Sequence, residues 1–264
     1  MPPPCLRLAT AGCALAMLFA SAAAFQGAWN LPAYELCKAI ALPFIDDDAS
    51  GATYNPVTQS VWVITGSPKY LMEFSERGQM LRKLSWDGFK DPEGLAWMVG
   101  YQMAVLEEPT KGGVTVVNVA PGVVNVEERR TKVDLDVPSH TGLEGITYND
   151  KEEVYYVVQE KDPKRIVEVQ LNGTYRELFT LENIGVGDLS GVHYASQINK
   201  LFVLSQEDKS VMKVTMKGKV VQQRDIAGER PEGIAFTPDG QRMFIVSEPR
   251  SMSIYSTNGC DELI

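Results

Sequence analysis

The sequence predicts an all-β chain folded as a five-bladed β-propeller, with an N-terminal strand completing the last blade. Three observations predict it. A five-residue phrase recurs five times at intervals of 42 to 51 residues. Every copy has the same turn-and-strand sequel. The last copy runs out of chain one strand short, and one spare strand precedes the first copy. With 22 Gly and 15 Pro in 264 residues, turns are frequent enough for many short strands.

The phrase is a small or acidic residue, Gly, an apolar residue, a small residue or His, and an aromatic. It reads Ser50-Gly51-Ala52-Thr53-Tyr54, Glu93-Gly94-Leu95-Ala96-Trp97 and Glu144-Gly145-Ile146-Thr147-Tyr148. The last two copies are Ser190-Gly191-Val192-His193-Tyr194 and Glu232-Gly233-Ile234-Ala235-Phe236. A turn follows each, as at Asn55-Pro56 or Thr237-Pro238-Asp239-Gly240. Apolar strands come next, at Val61 to Thr65, Met103 to Glu107, Val154 to Val158, Leu201 to Ser205 and Met243 to Ser247. A further alternating strand is clearest at Arg165 to Leu171 and Ser210 to Met216, closed by hairpin turns at Asn172-Gly173 and Lys217-Gly218. Four antiparallel strands in about 45 residues make one propeller blade.

The fifth unit stops after Met252 to Thr257 and lacks its fourth strand; Tyr34 to Leu42 can supply it. A six-bladed ring is the alternative, because the stretch from Val114 to Pro138 has room for a degenerate blade.

The first 24 residues read as a cleaved secretory signal. Arg7 precedes the apolar run Leu8 to Phe19, and Ala22 and Ala24 set a small-x-small cleavage site. The run is under the roughly 18 residues that a membrane span needs. Cleavage leaves residues 25–264 as a single propeller domain, expected to be an extracytoplasmic monomer in the periplasm, the extracellular space or a secretory lumen. It also removes Cys5 and Cys13, leaving Cys37 on the spare strand and Cys260 just past its expected neighbour. In an oxidising compartment that pair invites a disulfide. Net charge is −9, and −10 once Arg7 is lost. Nucleic-acid binding, which normally needs a basic face, is excluded.

In a propeller the first strand of each blade lines the central channel. Ser50, Glu93, Glu144, Ser190 and Glu232, each before a repeat glycine, would then form one axial ring. Three carboxylates in a narrow channel must protonate or hold a cation. All-oxygen donors suit Ca2+, with Mg2+ less well matched. The alternative is that each acid faces solvent separately. A second polar set, Gly66, Glu108, Gln159, Gln206 and Glu248, ends the next strands and would surround the ion or line a mouth. Asp48, Asp91 and Asp188 read as turn residues. His193, in a hub strand, reads as packing, and no nucleophile elbow, phosphate loop or zinc signature occurs. Asn172-Gly173-Thr174 fits a glycosylation sequon as well as a hairpin turn.

The phrases Asp91-Pro92-Glu93-Gly94-Leu95, Leu143-Glu144-Gly145-Ile146, Asp188-Leu189-Ser190-Gly191-Val192, Lys200 to Ser205 and Pro231 to Phe236 resemble the SdiA-regulated family. The resemblance runs from about Lys38 to Tyr255 and implies a five-bladed, NHL-related propeller with a calcium site, without an assigned activity. The Ser, Glu, Glu, Ser, Glu order is also similar to the axial ligands of calcium-activated nucleotidases. Two functions are therefore expected. One is a calcium-binding scaffold that takes a small molecule or a protein at a propeller face. The other is a calcium-dependent hydrolase of phosphorylated substrates, in which Lys111, Lys161, Lys164, Arg165 and Lys209 would bind phosphate.

Overall fold

A computed structural model describes residues 27–43, 45, 48–85, 88–108, 113–123, 128–132 and 142–261. The expected signal segment, Lys111 and part of the stretch before the third repeat lie outside the described residues. Twenty strands among the described residues form five four-stranded antiparallel sheets. Blade 1 is β2 (Ala49–Asn55), β3 (Ser60–Thr65), β4 (Tyr70–Ser75) and β5 (Met80–Ser85). Blade 2 is β6 (Pro92–Val99), β7 (Gln102–Glu107), β8 (Gly113–Asn118) and β9 (Glu128–Lys132). Blade 3 is β10 (Leu143–Asn149), β11 (Val154–Gln159), β12 (Arg165–Gln170) and β13 (Tyr175–Thr180). Blade 4 is β14 (Val192–Ala195), β15 (Lys200–Ser205), β16 (Ser210–Thr215) and β17 (Val220–Asp225).

Blade 5 closes the ring. Its inner strands are β18 (Arg230–Phe236), β19 (Arg242–Glu248) and β20 (Ser251–Ser256), and its outer strand is β1 (Glu35–Ala41), antiparallel to β20. Cys37 is the extra residue at a register shift in β1 and is disulfide-bonded to Cys260, with the Cα atoms 5.0 Å apart. The stretch that left room for a sixth blade holds β8 and β9, the outer half of blade 2.

Each repeat sits between two neighbours, which explains the burial. The second strands β3 and β11 are buried at every position, whereas the outer strands β5, β13 and β17 carry mostly exposed or half-exposed side chains. Five apolar clusters among the described residues fill the wedges between adjacent sheets; Trp62, Leu95 and Met103 meet between blades 1 and 2, for example. One wedge also has a polar strap. Arg82 donates to Glu73 at 2.5 Å, to Val119 O at 2.9 Å and to Ala120 O at 3.2 Å, with its guanidinium 4.9 Å from the Trp62 ring centre.

The inner strands touch around the axis, and the repeat glycines let them do so. A Cβ on Gly51 would lie 3.0 Å from Gly94 Cα, and one on Gly233 would lie 2.6 Å from Ala52 N. The axial channel has room for only about 10 Å³, less than or comparable to one water. The two faces of the ring are therefore separate surfaces. No helix among the described residues is long and apolar enough to cross a membrane.

Candidate functional site

The hub residues owe their aim to an irregularity in the strands. Register shifts fall between Ala49 and Gly51, Pro92 and Gly94, Leu143 and Gly145, and Pro231 and Gly233. Ser50, Glu93, Glu144 and Glu232 are the extra residues at these bulges. A bulge turns a side chain out of the regular alternation, and here it sends three carboxylates to one mouth of the channel, whose lining includes Glu93, Glu144 and Glu232. In blade 4 the hub residue precedes the strand: Ser190 N donates to Leu204 O at 3.1 Å, and Leu204 N to Gly191 O at 2.8 Å.

Carboxylate oxygens of Asp91, Glu93 and Glu108 lie within 4.8 Å of one another. Glu144 and Glu108 converge on Gly142, where a Cβ would collide with a carboxylate oxygen of each. Glu232 accepts from Gln206 Nε2 at 2.5 Å. Burial, then the charges of Asp91 and Glu108, pushes the Glu93 carboxyl up to about 8. Burial, then Glu144, Glu248 and Glu93, pushes Glu232 up to about 10. Glu144 is also held well above the usual carboxylate range, by burial and then by Glu93 and Glu108. Glu108 is raised by burial, Asp91 and Glu160.

The two hub serines are bonded nearby instead. Ser190 Oγ donates to Pro231 O at 2.6 Å, and Ser50 Oγ faces Asp48 O at 3.5 Å and Asp48 Oδ1 at 3.4 Å. The second set divides as well. Glu108 joins the acids, Gln206 bonds Glu232, and Glu248 pairs with Arg230 at 2.5 Å. Gln159 is a correction. Gly66 N pairs with Asp48 O, Glu108 N with Asp91 O, and Glu160 N with Gly142 O, so Glu160 holds the equivalent place. A slip of one residue puts a strand side chain on the other face. Gln159 is accordingly buried in its blade, accepting from Arg165 Nε at 2.7 Å and donating to Lys161 O at 3.1 Å.

The aspartates read as turn residues belong to the site. Asp91, at φ +52, completes the acidic triad, and Asp48, at φ +76, fills the space that a Cβ on Gly66 would need. Asp188 is 1% exposed; its Oδ1 accepts from Ser205 Oγ at 2.6 Å and Glu207 N at 3.1 Å, while its Oδ2 has no partner among the described residues. Their shared place, two residues before a hub residue in three repeats, was the available signal. An all-oxygen donor set, an orphaned buried carboxylate oxygen and a glycine cradle fit a hard divalent cation.

Solved structures show the same fold at low identity. A nidogen/laminin complex aligns at TM-score 0.55 and 14% identity, over 76% of this chain and 72% of that one. A luciferin-regenerating enzyme aligns at 0.57 and 10%, over 83% and 94%. A regucalcin from Agrobacterium tumefaciens, described as a calcium-binding protein, aligns at 0.53 and 12%, over 80% and 90%. The family model described as SdiA-regulated matches residues 27–256. The blades, the closing strand and this match together place the chain in the SdiA-regulated family.

Proposed function

We propose that this chain is a secreted or extracytoplasmic calcium-binding propeller, acting as a binding or scaffold domain. The observation that carries the reading is the convergence of Asp91, Glu93 and Glu108 within 4.8 Å, with Glu144 joining Glu108 around Gly142. Bound there, a calcium ion would neutralise carboxylates that otherwise hold protons. Asp91, Glu93, Glu108 and Glu144 would hold it, and Glu232, with its Gln206 bond, would flank it. A regucalcin described as calcium-binding shares the fold and is in keeping with this reading. The Cys37–Cys260 disulfide supports an oxidising compartment.

The cations available for phosphate favour binding over hydrolysis. Lys161 lies 3.0 Å from Glu160 and 2.6 Å from Glu207. Arg165 bonds Gln159 and Glu177, and Lys164 lies 3.9 Å from Glu182. Exposed Lys209 has no such carboxylate clamp among the described residues, and one lysine is a weak phosphate site.

Calcium titration of chelator-treated protein, read by thermal midpoint, tests the metal. Calcium should raise the midpoint, since the ion binds only the folded hub. Glu93→Gln should weaken the shift at least tenfold in calcium concentration. An unmoved midpoint would end the metal reading. A phosphatase and nucleotidase panel with and without calcium should be blank; calcium-dependent turnover would replace the scaffold role with hydrolysis.

A further inference from the structure

The repeat phrase has a second end. Its fifth residue lies four residues beyond the hub residue, about 13 Å along an extended strand, on the opposite face of the ring. Those residues are Tyr54, Trp97, Tyr148, Tyr194 and Phe236. Together with Trp29 they wall a cavity of about 260 Å³. Three of the fourth residues, Thr53, Thr147 and His193, form its floor. Thr53 Oγ1 accepts from Trp97 N at 2.8 Å and Thr147 Oγ1 from Tyr194 N at 3.0 Å, so the floor also ties blades together.

The walls are held in place. Trp97 Nε1 donates to Gly100 O at 3.0 Å, and Tyr194 OH donates to Asn199 Oδ1 at 3.1 Å. Trp29 comes from the segment before β1. It is 5% exposed, its N donates to Gly240 O at 3.2 Å, and its ring lies 5.3 Å from Phe236 and 6.2 Å from His193, stacked on the latter. The His193 imidazole makes no hydrogen bond among the described residues, while its backbone pairs with Phe202 in the strand ladder. Burial pushes its imidazole down to about 3, so it contributes no positive charge.

The electrostatics select the guest. Among the described residues no Lys or Arg lines the cavity, and Asp150 stands on its rim. Asp150 with Glu153 raises the Tyr148 phenol, Asp150 with Glu152 raises Tyr194, and Asp239 raises Tyr54, in each case after burial. Aromatic faces attract cations through their ring quadrupoles, Trp most strongly, and most of all where water is excluded. An acidic rim adds to that attraction and repels anions.

We propose that this aromatic cup is a binding site for a small organic cation, a quaternary or alkylated ammonium, on the face opposite the acidic hub. The rings of Trp29, Trp97, Tyr148 and Tyr194 surround the onium group, and Asp150 balances its charge from the rim. A bare divalent ion is a poor guest, because among the described residues Asp150 is the one carboxylate in the lining. The narrow channel keeps the two faces independent.

Calorimetric titration with tetramethylammonium and with choline tests the site, using 3,3-dimethyl-1-butanol as the neutral carbon analogue of choline. Both cations should bind saturably at one site, at least tenfold more tightly than the neutral analogue. Trp97→Ala and Tyr148→Ala should each weaken binding about tenfold. Asp150→Asn, an exposed turn substitution that spares the fold, should weaken it several-fold. Binding should be the same in calcium and in chelator. Equal affinity for the neutral analogue, no saturable binding of either cation, or loss of binding on chelation would each overturn the proposal. The last result would move the ligand to the acidic face, whereas failure of the calcium titration alone leaves the cup in place.

Discussion

The Cβ that Gly145 lacks would stand 2.8 Å from the Cα of Gly191 in the next blade. Real Cβ atoms do not approach backbone so closely, so the two inner strands must separate if a side chain is added. Gly145→Ala is expected to destabilise the ring by about 1–3 kcal/mol, the usual range for overpacking. Chemical denaturation checks this; an unchanged midpoint would show that the hub gives way without cost.

The disulfide closes a separation of 223 residues in sequence. Cys37→Ser is expected to cost about 2–4 kcal/mol, chiefly by freeing the unfolded chain. Thermal melts with and without reductant should differ in the natural protein and coincide in the variant.

Burial, with neighbouring carboxylates, pushes Glu93 up to about 8 and Glu232 up to about 10 from an ordinary 4.5. The folded form therefore binds more protons than the unfolded chain between these values. The stability this lends is complete below about pH 4.5 and is lost as pH rises through about 8 and then about 10. In chelator, the thermal midpoint should fall from about pH 5 to about pH 9, and calcium should flatten the fall. Glu232→Gln should remove the higher step. A midpoint that rises across this range in chelator would contradict the hub arrangement.

Arg82 joins Glu73, which is 4% exposed, to the backbone of the next blade. Removing the guanidinium leaves a buried carboxylate with Ser60 Oγ as its remaining donor in this group, at 2.7 Å. Arg82→Ala is expected to cost about 3 kcal/mol. Arg82→Ala with Glu73→Gln should recover part of the loss, measurable in a double-mutant cycle.

The blades were legible because the repeat phrase and its strands are local patterns. The closing strand was legible by counting, since Tyr34 to Leu42 lacked a partner and the last strand of the fifth unit lacked an outer neighbour. The acidic site was legible only in part. Glu93, Glu144 and Glu232 stand out by their place before glycine, but the bulge that aims them is a feature of pairing, and periodicity does not show it. Blade 2 carries a second register shift between Trp97 and Val99, so Glu108 comes 14 residues after its repeat glycine and Glu160 comes 15 after its own; Gln159 matches the blade 2 spacing. Asp91 was hidden by its ordinary chemistry: an aspartate at positive φ before a proline reads as a turn. The aromatic at the end of each phrase served to find the repeat, yet its side of the ring depended on strand length.

Pairing β1 with β20 sets an order on biosynthesis. Among the described strands, the one made first is the outermost strand of the blade made last. Blades 1 to 4 can form their own four-stranded sheets as they emerge, but the ring stays open until residues 251–256 arrive to meet the waiting N-terminal strand. Until then β18 and β19 lack the outer half of their sheet, and both flanking blades expose an unfilled wedge. Translation through the fifth repeat is the interval in which this chain most needs protection from aggregation.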